Sequence, residues 1–131
     1  ADVAMHLARR SDGIGPQRAA ALPVNEVAAA RAFLAEEFDR QVTSGDLERV
    51  TGLDRFELSR AFRRLLGTSP HRYLVGRRLA HARSRMTAGE GLAEAAVASG
   101  FADQSHMTRH FRARFGITPG RFAALASASQ A

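Results

Sequence analysis

Arg60-x-Phe62-Arg63-x-x-x-Gly67-x-Ser69-Pro70-x-Arg72-Tyr73 returns 49 residues later as Arg109-x-Phe111-Arg112-x-x-x-Gly116-x-Thr118-Pro119-x-Arg121-Phe122. Arg, Phe, Arg, Gly, Pro and Arg agree by identity; Ser/Thr and Tyr/Phe agree by chemistry. So many agreements in a short window mark two related units. In each, an arginine-bearing segment runs up to a glycine. Gly67 stands where a helix ends in a left-handed residue. Ser69-Pro70 reads as an N-cap followed by proline at the first helical position, where its missing N–H leaves no bond unmade.

Working outward, apolar spacing predicts helices and no strands. Val27, Ala30, Phe33, Leu34 and Phe38 form one stripe on a helix over about 25–40. Thr43 is a candidate N-cap for a second helix reaching about Val50, with Val42 as a staple, and Gly52 breaks the chain. A third helix spans about 54–66 and a fourth runs from Pro70 to about Thr87. Gly89 and Gly91 interrupt. A fifth covers 92–99, a sixth 103–115, and Thr118-Pro119 starts a seventh reaching about Leu125, after which the tail frays. Helix–turn–helix thus occurs twice, in helices two and three and again in five and six. The expected fold is all-α: about seven helices in two helix-turn-helix subdomains joined by a long connecting helix. The boundaries are a linker or the end of a missing domain over 1–23, a first unit over 24–69, a connector over 70–88, a second unit over 89–126 and a tail over 127–131. Within the linker, residues 3–10 could form one short helix.

Charge points to the partner. All 19 basic residues of the 131 are arginine. A GC-rich coding bias accounts for most of the preference over lysine. Their placement is more telling. Residues 1–54 carry a net charge of −3 and residues 55–131 a net charge of +9. That polarity in a small domain is the electrostatic footprint of a nucleic-acid binder. The apolar share of 45% is too high for disorder. There is no apolar run long enough to span a membrane and no secretory signal. Without cysteine there is no disulfide framework, thiolate zinc site or cysteine nucleophile. These features fit the cytoplasm.

The third and sixth helices offer matching faces. Leu58, Ala61, Phe62 and Leu65 make a core stripe on the third; Phe56, Ser59, Arg60 and Arg63 lie opposite. On the sixth, Met107, His110, Phe111 and either Arg114 or Phe115 lie toward the core, with Ser105, Thr108, Arg109 and Arg112 opposite. Gln104 and His106 flank that face near its N-terminal end, where base contacts are usually made. Arginine can fork onto guanine, glutamine can pair with adenine and an apolar group can touch the thymine methyl. Arg60, Arg109, Gln104 and Phe56 are therefore candidates for base edges. Arg55, Arg63, Arg64 and Arg112 are candidates for phosphates, as are Arg72 and Arg121 at the following helix starts. The connector of about 17 residues, or ~25 Å, suits major grooves that recur every ~34 Å.

The stretch from about Thr43 to Phe122 resembles the DNA-binding domain of AraC/XylS-type bacterial transcription regulators. The clearest signature is Gly100-Phe101-Ala102-Asp103-Gln104-Ser105-His106-Met107-Thr108-Arg109-His110-Phe111-Arg112, continuing to Gly116-Ile117-Thr118-Pro119. The first unit agrees through Thr51-Gly52-Leu53-Asp54-Arg55-Phe56, Arg60-Ala61-Phe62-Arg63 and Gly67-Thr68-Ser69-Pro70-His71-Arg72-Tyr73. The resemblance implies sequence-specific binding of promoter DNA by two recognition helices. It places base contacts at Phe56, Ser59, Arg60, Gln104, Ser105, His106 and Arg109. It also implies RNA polymerase as a further partner, and an effector, if any, bound by a domain absent from this chain. Ser44, Glu48 and Ala95 depart from the family pattern and imply looser packing around the second and fifth helices.

Other chemistry is poorly supported. His106 and His110 are four apart, but Met107 stands where a metalloprotease motif needs glutamate, and a third ligand is not evident. No Ser/His/Asp arrangement suggests a triad. The chain is expected to be no enzyme and to need no cofactor or metal. The rival reading is a helical protein-interaction module without DNA affinity.

Overall fold

The computed structural model describes residues 21–130. Among them are seven helices and no strand: α1 (Val24–Glu36), α2 (Ser44–Thr51), α3 (Arg55–Leu66), α4 (Pro70–Thr87), α5 (Leu92–Ala98), α6 (Gln104–Phe115) and α7 (Pro119–Gln130). The expected short helix over 3–10 lies outside the described residues.

Local chemistry explains most boundaries. Thr43 caps α2 in a reciprocal box: its Oγ1 accepts from the Asp46 N–H at 3.0 Å, and Asp46 Oδ2 accepts from the Thr43 N–H at 3.0 Å. Gly52, Gly67 and Gly116 close α2, α3 and α6 at φ 75°, 75° and 78°. Each sends its N–H back to a carbonyl of the last turn. Thr118 Oγ1 accepts from the Arg121 N–H at 3.1 Å, and α7 starts at Pro119.

The chain divides into two compact units. Among the described residues, the first holds 21–33 together with 42–70. Its buried apolar residues are Val27, Ala30, Leu53, Leu58, Ala61 and Phe62. The α3 stripe expected from periodicity is thus buried at Leu58, Ala61 and Phe62, while Leu65 is half-buried. Ser44 and Glu48 are exposed, so their departure from the family pattern removes no core contact.

The second unit holds residues 34–41 and 71–130. Its core combines Val75, Leu79, Ala82 and Met86 of α4 with Ala95 and Ala96 of α5, Phe101, and Met107 and Phe111 of α6. Leu92, Ile117 and Phe122 pack against that cluster. Helix α4 is therefore a core element of this unit as well as a connector. Ala95 is fully buried, so α5 packs closely despite the small side chain.

Two helix ends differ from the sequence reading. The first helix stops at Glu36 rather than near Arg40. Residues 37–40 form turns, held by partners about 40 residues away. Arg78 donates from Nε to the Phe38 carbonyl at 2.7 Å and from Nη2 to the Arg40 carbonyl at 2.8 Å. The Phe38 ring meets His81 at 4.9 Å. Long-range bonds to carbonyls outweigh the last turn of local apolar spacing. At the other end, α7 continues to Gln130 rather than fraying from Ser127; its alanine-rich sequence favours helix.

Candidate nucleic-acid interface

Helices α3 and α6 are each twelve residues long and start after an aspartate. Asp54 Oδ1 accepts from the N–H groups of Phe56 (2.9 Å) and Glu57 (2.8 Å), and Glu57 Oε1 accepts from the Asp54 N–H at 3.2 Å. Asp103 Oδ1 accepts from the His106 N–H at 2.8 Å. These caps fix where each helix begins and therefore which side chains face outward. Arg63 and Arg64 in the last turn of α3, and Arg112 and Arg114 in that of α6, lie at the helix end that favours cations.

On α3, Arg55, Phe56, Ser59, Arg60 and Arg63 are all exposed. Phe56 is 60% exposed, high for a phenylalanine, and the Arg55 guanidinium sits over its ring at 4.9 Å from the centroid. That contact fixes a flat apolar group among donors on the outward face. On α6, Gln104, Ser105, Arg109 and Arg112 are exposed. An open groove along this helix is lined by Gln104, Ser105, Thr108, Arg109, Arg112 and Ala113. Among the described residues, no carboxylate pairs with Arg55, Arg60, Arg63, Arg109 or Arg112. Unpaired guanidiniums on such a face keep their donors for an anion or a base edge.

His106 is the exception among the contact residues singled out from sequence. It is partly buried and does not line the groove. Its Nδ1 accepts from the Ala102 N–H at 3.3 Å. Its ring meets Phe101 edge-on at 5.4 Å and His110 at 4.9 Å. The His110 proton affinity is lowered, first by burial and then by the charges of His106, Arg109, His71 and Arg78.

The toward-core side of α6 includes Phe115, whose ring meets Phe111 at 4.7 Å. Phe115 keeps 37% of its surface exposed, with the Arg83 guanidinium over it at 4.9 Å. Sequence reasoning passed over Arg78, which is buried and held below the ordinary arginine value, chiefly by burial and against the pull of Asp39. It also passed over Ser99, which is fully buried with its Oγ 3.0 Å from His81 Nδ1. Both work through contacts across long sequence separations, which periodicity does not encode.

The fold and paired capped helices define a helix-turn-helix protein. A family model described as a helix-turn-helix domain matches residues 47–124. The chain is 35% identical over 85 residues to the uncharacterized HTH-type transcriptional regulator YbfI of Bacillus subtilis, covering 65% of this chain and 31% of that one. It is 27% identical over 90 residues to the HTH-type transcriptional regulator ExsA of Pseudomonas aeruginosa, covering 68% and 32%. It thus spans about a third of the length of these relatives. The DNA-binding domain of AdpA, a global transcriptional factor solved in complex with a target DNA, superposes with a TM-score of 0.73 at 26% identity, over 79% of this chain and 94% of that one. An AraC-type transcriptional regulator of Chromobacterium violaceum gives 0.70 at 25% identity, over 78% and 92%. The chain belongs to the AraC-type helix-turn-helix family.

Proposed function

We propose that this chain is the DNA-reading part of a transcription regulator and binds a specific duplex site by placing α3 and α6 in successive major grooves. The observation that carries the reading is the exposed arginine face that each helix presents at equivalent positions: Arg60 and Arg63 on α3, Arg109 and Arg112 on α6. The likeness to a domain solved with its target DNA supports it. Arg60 and Arg109 fork onto guanine edges, Gln104 pairs with adenine and Phe56 covers a thymine methyl. Ser59 and Ser105 lie beside them as adaptable hydrogen-bonding groups. Arg55, Arg63 and Arg112 hold phosphates and set the register. RNA polymerase is a further partner on this reading, and any effector is bound elsewhere in a longer protein.

Salt titration of binding to duplexes selected from a random pool tests this. With Arg55, Arg63, Arg64, Arg72, Arg112 and Arg121 all engaging phosphates, affinity falls roughly a thousandfold or more between about 50 and 200 mM salt. A weak salt dependence, or no enriched duplex, points instead to a protein-interaction module.

A further inference from the structure

The two reading helices start with related hydrogen-bond boxes built from different chemistry. On α3, the third residue, Glu57, takes the Asp54 N–H with its carboxylate. The residue 49 places on, His106, is the third residue of α6. It takes a backbone N–H from the same side of the cap, that of Ala102, with Nδ1. Asp103 and His106 complete the exchange through the His106 N–H at 2.8 Å. The His106 ring is held between Phe101, which is 3% exposed, and His110. It stands outside the groove lined by Gln104, Ser105, Arg109 and Arg112.

We infer that His106 is a positioning residue that holds the start of α6 so that Gln104 and Ser105 meet the base edges, and that it reads no base itself. This rests on the DNA-binding reading above. An Nδ1 that accepts from Ala102 puts the neutral ring's proton on Nε2. The atom doing the work is therefore Nδ1, which an asparagine Oδ1 reproduces in position while lacking anything at Nε2.

The test compares the full chain with His106→Ala and His106→Asn by selecting duplexes from a random pool, then measuring affinity for the selected site. Loss of a helix-start acceptor in His106→Ala should weaken binding about three- to tenfold and relax preference only at the base pairs that Gln104 and Ser105 meet, a change that His106→Asn should not show. His106→Asn should return affinity to within about twofold of the parent. Amide exchange at Ala102, measured without DNA, should quicken in His106→Ala and be restored in His106→Asn. The inference is overturned if both variants relax the preference at the same base pair, or if asparagine restores neither affinity nor the Ala102 amide. Failure of the unsubstituted chain to select any duplex would remove the DNA-binding reading, and this inference with it. The Ala102 amide would still show whether the box exists.

Discussion

Arg60 and Arg109 hold the same place in their helices: each is the sixth residue of a twelve-residue helix, six positions after an aspartate N-cap and seven before a left-handed glycine. The cap and the glycine set where the helix starts and stops, so they also set which way the sixth residue points. Both arginines are exposed. Local hydrogen bonding at two backbone positions thus orients the two side chains that we propose carry specificity.

From that equivalence, Arg60→Ala and Arg109→Ala should each cost about 1–3 kcal/mol in binding a selected site and relax preference at one base pair, in opposite halves of it. Competition binding against a panel of single-base variants measures this. Equal loss on every sequence would make the residue a phosphate anchor instead.

Arg63→Ala and Arg112→Ala should weaken binding uniformly across sequences and reduce the slope of log affinity against log salt by about one each. Unchanged slopes would show that these side chains do not displace counterions.

Gly100 and Gly116 both take positive φ but differ in what surrounds them. At φ 98° an added Cβ would lie 2.5 Å from the Phe38 carbonyl oxygen and 2.7 Å from Arg78 Nε. Gly116 has a left-handed φ of 78° and open space around it. Gly100→Ala should therefore destabilise the second unit by about 2–4 kcal/mol, from backbone strain and overpacking together. Gly116→Ala should cost only about 1–2 kcal/mol. Denaturant midpoints compare them, and equal losses would contradict the Arg78–Phe38 packing described.

His110 links stability to pH. Its folded-state proton affinity is depressed, by burial first and then by neighbouring His106, Arg109, His71 and Arg78. The unfolded chain takes up the proton at the ordinary value of about 6.5, while the folded chain resists it. The stability of the second unit should be full above that pH and fall as the pH drops below it. Thermal melts between about pH 8 and 5 measure this, and His110→Gln should flatten the fall. The same slope in the variant would assign the effect to other groups.

Local signals carried most of the fold. The repeated Gly67/Gly116 and Ser-Pro/Thr-Pro punctuation, with the stripes through Phe62 and Phe111, places the helices close to where they form. The outward faces of α3 and α6 were legible for the same reason: the stripe that must be buried leaves the opposite one outside. Long-range chemistry was not legible. Nothing near residues 37–40 announces that Arg78 will take two carbonyls and end α1 early. Helical spacing also puts His106 beside the outward face of α6, and its bond to Ala102 and its contacts with Phe101 and His110 are not encoded in that spacing.

Footprinting of the chain on a duplex selected from a random pool, repeated with Arg60→Ala and Arg109→Ala, tests the central claim most directly. Two protected patches about one helical turn apart are expected, with each variant thinning a different one. A single patch, or one that both variants weaken alike, would contradict reading by two arginine-bearing helices.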